Sequence, residues 1–505
     1  MTESAATRQK QRLTQIYIYI MIAVFPLFTG FSGYSNITAS KLIFYLALTM
    51  VWLVSLLTVS IRFRDFGGKR LEVSALCLLV YFALCCVSAL FSPYGTAVLL
   101  GEGRFDGLVF IGLNVCTFLF VSRYGRLERG LVYALATSMS VICIVSILQL
   151  LGSNPLSLFP NNLGYYDMGT RYSGEFLGTI GNGNLYSAFL ALCLMVFCSV
   201  FICGEKWRFE LIPAVLLGVF CLFRCTVSAG KLAFFVAMLI FAPILFTNTL
   251  RLLRGLVIAA LLAIALGFAF SFHANGSARN LTINLNFNVL FVALVASAVL
   301  LGLVLLLRRA EISRRTILAI CLTLISLISG IGLVYIYNYT GTEGTIFEFS
   351  RVLHGELQPE FGSSRIKIWQ GCFELAGQKP VLGGGPGTLP LRLDISFSRF
   401  VQETGRTLST RVDNAHNVYL GILTDTGVLS LFAYLAAIST SLFSALRQRK
   451  KQTLALCLAA GLFAYWVQDF FGLGLFIVSP LMWIFWGLVS GTTQKGSIAK
   501  ESSLP

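Results

Sequence analysis

The chain has 505 residues, 56% hydrophobic and only 12% charged, with a mean hydropathy of +0.80. A soluble domain carries about 25% charged residues, so a water-soluble globular protein is excluded and a polytopic membrane protein remains. The formal net charge of +16 is an excess that nucleic-acid binders share, but the cations are distributed by loop and no nucleic-acid partner is expected.

Apolar runs near or at spanning length, about 17–25 residues, occupy 16–30, 42–61, 73–91, 107–121, 130–151, 185–203, 211–225, 232–246, 255–272, 289–307, 316–337, 417–446, 453–467 and 475–490. They predict an all-α polytopic integral membrane protein of about 12 to 14 transmembrane helices, with one large extracytoplasmic loop subdomain. The first run ends near Gly30 without a small-residue cleavage site, so it reads as a first membrane helix rather than a signal peptide. Most of the thirteen cysteines fall inside these runs, and neither a disulfide framework nor a cysteine metal site is expected.

Taken as alternating spans from a cytoplasmic start, one set of loops holds Arg8, Lys10 and Arg12, then Arg62, Arg64, Lys69 and Arg70. The same set continues with Arg123, Arg126 and Arg129, with Lys206 and Arg208, with Arg251 and Arg254, with Arg308, Arg309, Arg314 and Arg315, with Arg447, Arg449, Lys450 and Lys451, and with Lys495 and Lys500. The opposite short loops hold only Lys41, Arg104, Arg171, Arg224, Lys231 and Arg279. This is the positive-inside asymmetry. It places both termini in the cytoplasm, and it divides the chain into a helix bundle over 1–337, an outer subdomain over 338–415, C-terminal membrane helices over 416–491 and a cytoplasmic tail over 492–505.

The outer turns carry the polar chemistry. In the second, Arg104 sits among Gly101, Gly103 and Gly107 just ahead of a helix, a setting that favours an anion; the alternative is an arginine reaching to lipid headgroups. The third, over 152–183, holds Asp167, Arg171 and Glu175 amid tyrosines, suited either to sugar stacking or to an interfacial aromatic belt. Arg224 and Lys231 flank a short turn with no carboxylate of its own, and cations at that depth are costly unless they serve a ligand or snorkel outward. The Asn-rich turn after 272 holds His273, read as a solvated histidine.

The outer segment balances its charges, so it is no polybasic patch. Ile366, Trp369 and Phe373 share one helical face over 363–376, and Gly377, Pro380 and the run Gly383-Gly384-Gly385-Pro386-Gly387 punctuate its end. It closes on Asp413-Asn414-Ala415-His416-Asn417, which places one of only three histidines where polar chain gives way to a spanning helix. A histidine there can meet a lipid-borne substrate and exchange protons with water. Capping of the following helix is the competing role, which Asp413 or Asn414 would fill equally well.

Arg365-x-x-x-Trp369, Pro380-Val381-Leu382-Gly383-Gly384-Gly385-Pro386-Gly387 and Ala415-His416-Asn417-Val418-Tyr419-Leu420 followed by Asp425-Thr426-Gly427 resemble the signature region of the O-antigen ligase and O-antigen polymerase superfamily. That resemblance implies transfer of a glycan from an undecaprenyl-diphosphate carrier to a lipid, glycan or protein acceptor. The reaction would take place on the outer face of the bacterial cytoplasmic membrane, with no cofactor and no metal. It implies His416 at the reacting hydroxyl and arginines on the diphosphate: Arg365 by motif, Arg104 and Arg171 by loop context. Asn417, Trp369, Gly385 and Gly427 would support the motif. Where family members carry an arginine, this chain has Ala229, with Lys231 two residues on as a further candidate for the diphosphate; lysine lacks the bidentate grip of arginine.

Fixed cations suit a leaving diphosphate, and the outer segment offers no acidic or histidine cluster for a metal. A transporter or flippase of lipid-linked sugars is the rival reading. It would concentrate charge at the bilayer midplane and break helices in symmetric halves, whereas here the polar investment lies on one face. A structural scaffold for envelope assembly would leave the histidine and arginines replaceable.

Overall fold

A computed structural model describes residues 4–66, 71–159, 166–167, 170–171, 177–275, 282–401 and 406–501. Its helices are α1 (Ala5–Ala23), α2 (Ile37–Phe63), α3 (Val73–Leu90), α4 (Ala97–Leu100), α5 (Leu108–Tyr124), α6 (Arg129–Leu150), α7 (Gly183–Cys203), α8 (Ile212–Arg224) and α9 (Ala229–Leu245). They continue as α10 (Thr249–Ser271), α11 (Phe287–Leu307), α12 (Arg314–Tyr337), α13 (Thr345–Leu353), α14 (Phe361–Gln378), α15 (Leu389–Arg392), α16 (Val418–Arg447), α17 (Thr453–Gln468) and α18 (Ser479–Glu501). Among the described residues the strands form three antiparallel hairpins: β1 (Tyr166–Asp167) with β2 (Thr170–Arg171), β3 (Phe272–Asn275) with β4 (Thr282–Leu285), and β5 (Ser396–Val401) with β6 (Arg406–Arg411).

Every apolar run of the sequence overlaps one of these helices. Eight are long and apolar enough to cross a membrane, and α5, α9 and α17 are apolar but shorter. The protein is an all-α, multi-pass membrane protein. The first helix departs from its apolar run: it begins at Ala5, where Ser4 Oγ accepts the Thr7 N–H at 3.1 Å, and stops at Ala23, short of Pro26. A side-chain cap fixed the start, whereas the apolar run begins only at Ile16 and continues past the helix end.

Burial separates the helices into a centre and a rim. For α7, 94% of the apolar window is buried, as expected of a helix hydrophobic on every side. It packs against α9 and α17, while α16 packs on α3 and α18 on α5. At the rim, α11 and α12 bury only 6% and 11% of theirs.

The outer segment is tied to the bundle through a break in α16. Gly427 has φ +83, and a Cβ there would stand 2.0 Å from the Val381 carbonyl oxygen, so only glycine lets the glycine-rich loop lie against the helix. The loop then pairs with the helix backbone: Gly384 N–H donates to Thr424 O at 3.2 Å, Gly385 N–H to Asp425 O at 2.8 Å, and Val428 N–H to Pro380 O at 2.8 Å. Before it, α14 differs from the regular helix expected over 363–376. Gly362, Ser363 and Ser364 have φ of 66, 59 and 64, so right-handed helix begins only at Arg365. The Glu348 carboxylate, which accepts the Gly362 N–H at 3.1 Å, holds that turn.

Candidate active site

The helix α16 starts on Asn417, whose Oδ1 accepts the Leu420 N–H at 3.0 Å, while the Val418 N–H donates to the Asp469 carbonyl at 2.9 Å. Capping therefore belongs to Asn417, not to Asp413, Asn414 or His416. One residue earlier, the His416 N–H donates to Asn414 Oδ1 at 2.9 Å, and the histidine backbone is left-handed at φ 49. Such a conformation costs a non-glycine residue about 1–2 kcal/mol and is held by the contacts around it. With both neighbouring asparagines occupied by backbone, the imidazole is left unused: its Nδ1 is buried with no partner.

Two arginines approach this ring from distant parts of the chain. Arg104, in the turn between α4 and α5, donates from Nε and Nη2 to the two Asp413 carboxylate oxygens at 2.7 and 2.9 Å. That bidentate fork fixes the orientation of its guanidinium. The turn itself is seated on the glycine-rich loop, where the Glu102 N–H donates to the Gly387 carbonyl at 2.9 Å. Gly387 and Gly101 approach so closely that a Cβ on Gly387 would stand 2.6 Å from Gly101 Cα.

Arg365, on α14, is spaced one helical turn from Trp369, so both point to one side. Trp369 donates its indole N–H to the Ala415 carbonyl at 3.0 Å, locking the helix to the histidine loop. Arg365 donates from Nη1 to the Gly362 carbonyl at 2.7 Å, and its Nε is buried without a partner. Ile368, Cys372, Leu389, Val412, Ala415 and Leu420 form the small apolar core beneath this corner.

The electrostatics follow from the placement. Burial pushes the His416 ring down from 6.5 to about 4; Arg365 and Arg104 push the same way, and Asp413 opposes them. His416 is therefore neutral at pH 7, able to accept a proton. The Arg365 guanidinium has hydrogen-bonding capacity left for an anion: among the described residues it bonds only backbone carbonyls, and its Nε has no partner. Burial also raises the Asp106 carboxyl to about 6, and its Oδ1 is buried without a partner. It borders a cavity of about 140 Å³ behind the histidine loop, which Asp413, Asn417, Asp469 and Tyr434 also line.

The remaining sequence candidates fall into two groups. Gly385 and Gly427 are architectural: at φ +116, Gly385 packs on Ser92, where a Cβ would meet Oγ at 2.4 Å. Lys231, in the first turn of α9, is not among the groups whose charge bears on His416; those are Arg365, Arg104 and Asp413. Near it, Arg224 lies over the Phe272 ring at 5.9 Å. Arg171 has its backbone in β2, and its side chain lies outside the described residues.

Sequence reasoning missed the partners. Asp413 as the holder of Arg104, and the ion pair of Arg392 with Asp425 beneath the glycine-rich loop, come from tertiary packing. A signal for the second existed: a carboxylate in the first turns of a spanning helix needs a cation nearby, and Arg392 also donates to the Thr424 carbonyl at 3.1 Å.

A search of curated proteins finds no match to this chain. Residues 289–435 match the family model described as O-antigen ligase. That stretch runs from α11 to the middle of α16 and includes Arg365, Trp369, the glycine-rich loop, His416 and Gly427, but not Arg104. Through that region the chain is similar to the O-antigen ligase family, and the similarity supports a membrane glycosyltransferase of the ligase or polymerase type.

Proposed function

We propose that this protein moves a glycan from an undecaprenyl-diphosphate carrier to an acceptor hydroxyl at the outer face of the bacterial cytoplasmic membrane, with both termini cytoplasmic and residues 338–415 outside. The acceptor is a lipid, a protein or a second glycan. His416 takes the hydroxyl proton on its free ring nitrogen as the acceptor oxygen attacks the anomeric carbon. The bond from that carbon to the diphosphate oxygen breaks, and undecaprenyl diphosphate leaves with the electron pair. Arg365 and Arg104 meet the charge that grows on the leaving group, the step at which fixed donors contribute most.

The donor also prepares the base. A diphosphate lodged between the two guanidinium groups cancels the charge that disfavours the imidazolium, so the ring binds a proton more readily when the donor is in place. No metal and no nucleotide sugar take part in this scheme. One observation carries it: Arg104, Arg365 and His416, from three separate segments, converge on a single corner where the imidazole is neutral and its Nδ1 has no partner.

The test is purified protein in vesicles with a defined undecaprenyl-diphosphate glycan and candidate acceptors, read by mass spectrometry. Release of undecaprenyl diphosphate together with a new glycosidic product is expected, unchanged by a chelator. His416→Ala should abolish both while the protein still elutes as a folded species; full transfer by that variant overturns the assignment.

A further inference from the structure

A second cavity, which shares no lining residue with the one behind the histidine loop, lies where the ends of α9, α10, α12, α16 and α17 meet. Its volume is about 350 Å³, and its lining is Arg251, Arg314, Arg449 and Lys450, with Thr247 and the apolar Ile244 and Leu456. Four cations and no carboxylate face one space. Among the described residues none of the four makes an ion pair; Arg251 donates to Thr247 Oγ1 at 3.2 Å and Arg449 to the Leu446 carbonyl at 3.0 Å. Like charges gathered this closely repel one another unless an anion sits among them, and all four lie on the positive side of the membrane by the loop count.

The neighbouring helix explains what kind of anion. On α12 the buried residues are Ile317 and Cys321, both in its first turns, where they pack with Phe246, Leu252 and Ile312. Farther along, Leu324, Leu327, Ile328, Ile331 and Val334 are all exposed. The helix thus touches the bundle at the basic cavity and presents apolar side chains beyond it. A ligand seated here meets cations at one end and hydrocarbon-facing helix surface along the rest of its length. Basic pockets between membrane helices hold lipid headgroups in this way.

We propose that the cavity is a binding site for one anionic phospholipid, its phosphate among Arg251, Arg314, Arg449 and Lys450 and its acyl chains along α12. The bound lipid would fasten the α11–α12 hairpin to the bundle by bridging α12 to α10 and α16. This site is independent of the transfer reaction, and its failure would leave the assignment of His416 untouched.

The test uses the full chain, delipidated in detergent and then offered phosphatidylglycerol or phosphatidylcholine. Native mass spectrometry should find one phosphatidylglycerol retained and phosphatidylcholine lost. Arg314→Gln with Lys450→Gln, both exposed side chains whose loss spares the core, should weaken retention by about tenfold or more. Arg251→Gln with Arg449→Gln should do the same, and the control Arg308→Gln with Arg309→Gln, outside the cavity, should retain lipid as the parent does. A parallel arm measures the thermal midpoint with inorganic phosphate alone. Equal retention of phosphatidylcholine, undiminished retention by both lining pairs, or equal loss in the control overturns the proposal. So does stabilisation by inorganic phosphate matching that by phosphatidylglycerol, which would mark a free-anion site.

Discussion

Gly427→Ala probes the joint on which the candidate site rests. A Cβ at this position would stand 2.0 Å from the Val381 carbonyl oxygen, whereas ordinary contact begins at 3.4 Å, so the glycine-rich loop must retreat by about 1.4 Å. Such a shift breaks or stretches the bonds from Gly384 and Gly385 to α16, from Val428 to Pro380 and from Gly387 N–H to Asp425 Oδ2, the last at 3.0 Å. Each is worth about 1 kcal/mol net, and the backbone region at φ +83, ψ 175 costs a non-glycine residue about 1–3 kcal/mol more. Partial relaxation leaves an expected loss of about 3–5 kcal/mol. The consequence for chemistry is separate, because the same loop holds the Arg104 turn through Gly387 and Glu102. Displacing it misaligns Arg104 against His416, and a misplacement near 1 Å lowers transfer by about 100-fold. Thermal unfolding followed by tryptophan fluorescence and the mass-spectrometric transfer assay measure the two effects. A variant with the parental midpoint and the parental rate would refute the docking argument.

Three further outcomes follow from the same geometry. The pH profile of kcat/KM reports the free enzyme, and a base whose affinity for protons is lowered stays neutral further into acid. The acid limb should therefore fall near pH 4 rather than near 6.5, and Arg365→Gln should move it upward by removing one of the charges that oppose protonation. A limb near 6.5 in the parent, unmoved in the variant, contradicts the placement of Arg365. Asp413→Asn frees Arg104 from its fork without disturbing the core, so transfer should drop by about 10- to 100-fold at an unchanged thermal midpoint; parental activity would show that the fork does not aim the guanidinium. Asn417→Ala removes the side-chain cap of α16 and should cost about 1 kcal/mol of stability, read from the same fluorescence transition, and an unaltered transition would assign the cap elsewhere.

Much of the architecture is legible in the residues because hydrocarbon imposes a local rule. Every backbone group in a span must bond within its own helix, so each spanning helix announces itself as an apolar run, and each of the fourteen runs overlaps a helix. Hairpins have no such rule to obey. The β3–β4 and β5–β6 pairs went unread, as did the left-handed turn at Gly362, Ser363 and Ser364, because each depends on a partner strand or on a carboxylate elsewhere in the chain.

His416 and Arg365 could be singled out from residue type, position and motif alone. What they face could not. Arg104 and Asp413 stand 309 residues apart, and nothing in either neighbourhood predicts the other. Their meeting is decided by Gly101, Gly387 and Gly427, which let three backbones approach where any side chain would hold them apart. Short-range preferences determined which segments cross the membrane and which residues can do chemistry. Close packing of glycine-lined loops onto a broken helix decided which of those residues meet, because proximity between distant segments is set by the space left between them.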